Sequence, residues 1–170
     1  MARPSELIVL STLVAGVVLA SIIDLRTRRV PNPLTATLAV LGVGFAVTGI
    51  SNLTVGASLA GLVLGLALML PGHLFGGTGG GDVKLFAAAG AIIGPMPIVM
   101  AFLYTALAGG VLALVVALRR NRLQHTLGAT ARLISTAAAN ANAIASPLEN
   151  NRFAYAPAIA VGTLIAALGR

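Results

Sequence analysis

Gly76-Gly77-Thr78-Gly79-Gly80-Gly81-Asp82-Val83-Lys84-Leu85 is the stretch on which the reading of this chain turns. It joins a run of glycines to one of only two aspartates and to the only lysine. Long apolar runs, almost free of charge, lie on both sides. An ionisable carboxylate at the edge of a hydrocarbon span marks a functional site by default. The second aspartate, Asp24, also ends an apolar run, Ile22-Ile23-Asp24-Leu25. The question the sequence poses is whether the two carboxylates meet.

Composition sets the class. Of 170 residues, 58% are hydrophobic and 9% charged, where an ordinary soluble domain carries about a quarter charged. The expected fold is therefore all-α: a polytopic membrane helix bundle. Uninterrupted apolar runs do not suit the alternating strands of a membrane barrel. The net charge of +7 does not point to nucleic acid, because the arginines flank apolar spans as topology signals do. The chain has no cysteine, which excludes disulfides, thiolate zinc sites and a cysteine nucleophile.

Taken in order, the first span covers residues 6–25, about 20 residues, enough to cross roughly 30 Å of hydrocarbon. Arg26, Arg28 and Arg29 follow it and Arg3 alone precedes it. A signal peptide has the opposite pattern, so the helix is read as uncleaved. Pro31-Asn32-Pro33 makes a turn. A second span is expected from Leu34 to Ile50 and a third from Leu53 to Leu70, with Gly56, Ala60, Gly61 and Gly65 suited to close helix packing. Pro71-Gly72-His73 should close the third span. A short fourth runs from Val83 to Ile93 and is broken by Gly94-Pro95-Met96-Pro97. A fifth covers Ile98 to Leu118. Residues 119–152 form a long connection with a weakly amphipathic stretch, expected to lie at the cytoplasmic interface. The last span runs from Phe153 to Leu168.

This gives about six transmembrane helices in a single domain over residues 1–170. With the N-terminus outside, nine of the eleven basic residues face the cytoplasm, the asymmetry that sets orientation. Asp24 and Asp82 then lie at the same cytoplasmic depth. Two close carboxylates push one pKa up and share a proton, so one can act as base on a water and the other as acid. No metal is needed. The residues alone leave plainer readings open. Asp82 can be a helix cap, the glycines a connector, and Asp24 a solvated helix end paired with Arg26 or Arg28. His73 reads as a loop residue without partners, Glu6 and Glu149 as surface charges, and Tyr104 as packing. His125 has no nearby ligands to suggest a metal.

A family resemblance bears on this choice. Asp24-Leu25-Arg26-Thr27-Arg28-Arg29-Val30-Pro31-Asn32-Pro33-Leu34-Thr35 resembles the first aspartate motif of bacterial type IV prepilin peptidases. Gly79-Gly80-Gly81-Asp82-Val83-Lys84-Leu85 is similar to their second motif, Gly-x-Gly-Asp with Val-Lys-Leu. Tyr155-Ala156-Pro157 is similar to a third motif near the last helix, with Ala156 where the family usually has Gly. The resemblance implies a multi-pass aspartyl endopeptidase of the bacterial inner membrane. It implies Asp24 and Asp82 as the catalytic pair, with Gly79, Gly81, Lys84, Pro31 and Asn32 binding substrate or shaping the site. No cofactor or metal is expected. The implied partners are a prepilin-like substrate and the lipid bilayer, not nucleic acid. The substrate's basic leader would be cut after a glycine at the cytoplasmic face. The chain starts with a membrane helix and lacks the family's cysteine motifs, so it resembles the minimal form associated with Flp-type pili, and methyltransferase activity is not expected. The competing classes are a proton- or ion-coupled carrier using the aspartates as a relay, and a non-catalytic pilus or secretion assembly protein.

Overall fold

A computed structural model describes residues 3–75, 77–119 and 155–169. Six α-helices lie within them: α1 (Pro4–Thr27), α2 (Asn32–Val47), α3 (Val55–Leu74), α4 (Gly80–Ile93), α5 (Pro95–Arg119) and α6 (Ala156–Leu168). The fold is all-α, as expected. Three helices are long and apolar enough to cross a membrane: α1, α3 and the Pro95–Val115 part of α5. α2 and α6 are apolar but shorter. Of the about six spans expected, the helices are present and three meet the length for crossing. Apolar side chains such as Val63 and Leu107, each more than half exposed, cover outer faces, as in a protein solvated by lipid.

Contacts divide the chain into two units, residues 1–109 with 152–170, and residues 110–151. Of the second unit only the end of α5 is described. The 119–152 connection, including its amphipathic stretch, His125 and Glu149, lies outside the described residues apart from Arg119.

α4 is the centre of the first unit. Asp82, Val83 and every residue from Leu85 to Ile93 are buried. A helix that is apolar all round belongs in a core, and five Ala and Gly between Ala87 and Ala91 keep this one thin. Glycines on its neighbours complete the fit. A Cβ on Gly65 of α3 would lie 2.9 Å from the Phe86 carbonyl oxygen, and one on Gly42 of α2 would lie 2.9 Å from the Ala91 carbonyl carbon. A Cβ on Gly61 would collide with the Gly90 carbonyl. Ser58 Oγ donates to the Ala91 carbonyl at 2.7 Å. The buried stripe of α3 is thus Ser58, Gly61, Gly65 and Met69. Gly56 and Ala60, expected in it, face outward, because they lie on a different helical row.

Helix ends differ from the sequence reading in several places: Asn32 and Pro33, expected in a turn, already belong to α2, which stops at Val47 and not Ile50, and α4 begins at Gly80, ahead of Val83. α3 does not stop at Pro71 but runs through it to Leu74. Pro71 cannot donate to the Ala67 carbonyl one turn earlier and crowds it, but its own carbonyl still accepts from the Phe75 amide at 3.0 Å. The break before α5 is confined to Gly94, whose φ of 85° is accessible to glycine. Pro95 and Pro97 fall in the first turn of α5, where a missing amide costs nothing.

The chain threads so that the start of α1 meets the α2–α3 connection, where Asn52 Nδ2 donates to Glu6 Oε1 at 3.3 Å. The end of α1 and the starts of α2, α4 and α6 meet at the opposite end.

Candidate active site

Just after Thr27, α1 is capped by Arg28, whose φ of 53° turns the chain and whose amide donates to the Asp24 carbonyl at 2.7 Å. Val30 is buried after this turn, and half-buried Pro31 leads into α2, with Asn32 and Pro33 in its first turn. Asp24 lies in the last turn of α1 with its side chain buried. Its Oδ2 accepts from the Ala156 amide at 3.2 Å. Ala156 is the first residue of α6, where backbone amides have no partner within their own helix. The Arg28 guanidinium lies within electrostatic reach of the same carboxylate.

Asp82 occupies the third position of α4 and is buried too. Its Oδ2 accepts from the Gly79 amide at 3.0 Å. The capping reading is therefore correct for one oxygen. The other, Oδ1, is buried and has no hydrogen-bond partner among the described residues. This first turn lies outside the three helices long enough to cross a membrane. Burial, and next the negative charge of Asp24, push the Asp82 carboxyl up to about 6, against the pull of the Gly79 amide and of His73. The charge of Asp24 thus reaches Asp82 at one end of the bundle.

The glycines before Asp82 have protein neighbours. A Cβ on Gly79 would lie 3.0 Å from Asp82 Oδ2. A Cβ on Gly81 would lie 3.0 Å from both the Cβ and the carbonyl oxygen of Val30. Gly81 therefore lets α4 start flush against the segment that follows Asp24. Beside this contact, the exposed Lys84 Nζ donates to Asn32 Oδ1 at 3.0 Å. Val30 with Gly81, and Asn32 with Lys84, join the two aspartate-bearing segments.

Two residues near the pair were given no role at the site by the sequence reading. Tyr155, just ahead of α6, packs its ring on Gly109, where a Cβ would approach it to 2.6 Å. Its hydroxyl donates to the Thr105 carbonyl at 3.5 Å. Burial, then the charge of Asp82, push its phenol up. The third motif was visible as a resemblance, but nothing in its spacing tied it to Asp24. His73, read as a loop residue without partners, belongs to the last turn of α3, and its Nδ1 lies 2.9 Å from the Thr78 carbonyl oxygen. Among the described residues no three His, Asp or Glu side chains cluster as metal ligands would.

Two buried carboxylates in electrostatic contact, each with one oxygen pinned by an amide, can share a single proton and titrate as a pair. An oxygen left without a partner is where a water or a reacting carbonyl can be engaged. Compared with known proteins, the chain matches no curated protein and no solved structure. The model of the type IV leader peptidase family matches residues 11–114, a stretch that includes both aspartates, the Val30–Asn32 turn and the glycine loop. With more than half of its length matched by that model, the chain belongs to the type IV leader peptidase family.

Proposed function

We propose that this membrane peptidase is an aspartyl endopeptidase in which Asp24 and Asp82 share one proton cycle. The observation that carries the reading is the state of the two side chains. Both are buried, each has one oxygen held by a backbone amide, and Asp82 Oδ1 has no hydrogen-bond partner among the described residues. An orphaned buried carboxylate oxygen is costly, and a reacting water or substrate would satisfy it. The ionised member of the pair takes a proton from water, which attacks the scissile carbonyl carbon. The protonated member gives its proton to the carbonyl oxygen. The tetrahedral gem-diol then collapses: the C–N bond breaks, the amine leaves with the proton the first carboxylate had taken, and the second carboxylate recovers a proton from a diol hydroxyl as the new C=O forms.

The substrate follows from the resemblance of the two motifs: a prepilin-like protein whose basic leader is removed just before its hydrophobic helix. With the N-terminus of the enzyme outside, the aspartate end of the bundle faces the cytoplasm, where such a leader remains. The enzyme is then a multi-pass protein of the bacterial inner membrane. The basic residues around the site orient the enzyme in the bilayer, as the positive-inside pattern requires.

The test is co-expression with a prepilin, followed by N-terminal sequencing of the product. Wild-type enzyme should give a new N-terminus at the leader junction. Asp24→Asn and Asp82→Asn should each lower cleavage by about a hundredfold or more, with insertion and expression near wild type. Substantial cleavage by either variant would remove the aspartyl mechanism, and inhibition by a chelator reversed by zinc would replace it with a metal-dependent one.

A further inference from the structure

The last turn of α3 reaches the glycine loop through His73. The acceptor of the His73 bond is the Thr78 carbonyl, which cannot donate, so Nδ1 carries a proton and Nε2 is the nitrogen that takes up a second. The ring also lies beside Gly80, where a Cβ would be 3.5 Å from Cε1 and 3.7 Å from Nε2. The backbone fastens the loop at the same place. The amides of Gly77 and Thr78 both donate to the Gly72 carbonyl, at 2.8 and 3.2 Å. The next residue, Gly79, supplies the amide that holds Asp82 Oδ2. A short continuous path therefore runs from α3, through His73 and Thr78, to the carboxylate. It exists because α3 continues past Pro71 and carries the imidazole to the loop.

We propose that His73 is a positioning residue for Asp82: it fastens the glycine loop to α3 and, when protonated, places a positive charge beside the aspartate pair. The inference rests on Asp82 being catalytic. The charge of His73 does reach Asp82. Among the described residues, the other titratable and charged groups around Asp82 are Asp24 with Arg28 at the end of α1, Tyr155 ahead of α6, and Lys84, which is engaged with Asn32 of α2. His73 is the imidazole among these, and it lies against the loop that carries the Gly79 amide.

The experiment measures cleavage of a purified prepilin across pH by wild type, His73→Ala, His73→Asn and Asp82→Asn. Asn keeps an N–H near the Nδ1 position but cannot become a cation. His73→Ala should lose about tenfold in kcat with little change in KM. His73→Asn should recover most of that loss at neutral pH. In both variants the acid limb should move to higher pH, because without the cation Asp82 keeps its proton longer as pH rises. Wild-type kcat and an unmoved acid limb in His73→Ala would overturn the inference. So would a loss in His73→Asn as deep as in His73→Ala with the limb unmoved, which is what a purely structural role gives. An active Asp82→Asn would overturn the aspartyl reading itself. An inactive Asp82→Asn beside unaffected His73 variants would remove the role of His73 alone.

Discussion

Asp24 and Asp82 are both buried carboxylates with one oxygen on a backbone amide, yet the amides come from opposite kinds of place. The amide that holds Asp82 belongs to Gly79, three residues earlier. The one that holds Asp24 belongs to Ala156, 132 residues away on another helix. Asp82 is thus set by the local geometry of one helix start, and Asp24 by the packing of α6 against the end of α1. A catalytic group held locally is sensitive to the loop that carries it. One held over a long range is sensitive to the fit between elements. The two can be perturbed separately, which is what makes the comparison testable.

The largest effect among the neighbours of the pair is expected at Gly81. Gly81→Val would force the start of α4 away from Val30 and displace Asp82 by something on the order of 1 Å, a misplacement that costs about a hundredfold in rate. Cleavage of a prepilin and thermal stability of the purified protein should be measured together. A variant of wild-type rate would show that the Val30 contact does not set the position of Asp82.

Gly109→Ala addresses the other side of the comparison. Its Cβ would approach the Tyr155 ring to 2.6 Å, so the ring and the start of α6 must shift. The Ala156 amide then moves relative to Asp24, and kcat should fall about tenfold. The effect should be matched by Tyr155→Ala, which removes the same support, and the double variant should lose little more. Independent, additive losses would mean that α6 does not act through Asp24.

The smallest effect belongs to the exposed link between the two segments. Lys84→Ala and Asn32→Ala each break one surface hydrogen bond, worth a factor of about two or three at most. The two changes together should equal either alone. A tenfold loss in Lys84→Ala not shared by Asn32→Ala would give the lysine a direct role toward substrate.

The helical fold was legible because apolar runs, prolines and glycines mark helices and their breaks without help from the rest of the chain. What failed was reading proline as a stop. Pro71 stands inside α3 because its carbonyl still serves the next turn, and Pro95 and Pro97 open α5 where no amide is required. The family resemblance also singled out Gly79 and Gly81, for binding substrate or shaping the site, and their closest neighbours among the described residues are Asp82 and Val30. That use of glycine depends on which helix arrives beside it, and a single sequence does not show arrivals. The same limit hid the partner of Asp24. Both aspartates could be assigned to one end of the bundle from charge asymmetry, but the amide from α6 reaches Asp24 across 132 residues of chain, and the Tyr155 ring beside it is seated by Gly109 of α5. His73 was misread because the helix carrying it was ended too early.

The central claim is that the two aspartates work as one unit, and the most direct measurement compares Asp24→Asn, Asp82→Asn and the double variant in prepilin cleavage under one set of conditions. Asn keeps the size of Asp and much of its hydrogen bonding but cannot ionise, so each single change removes proton transfer without opening a cavity. Groups that share one cycle are strongly non-additive. Each single variant should lose about a hundredfold or more in rate, and the double variant should be hardly worse than either. Losses that multiply in the double variant, or a single variant that still cleaves at an appreciable rate, would contradict the account.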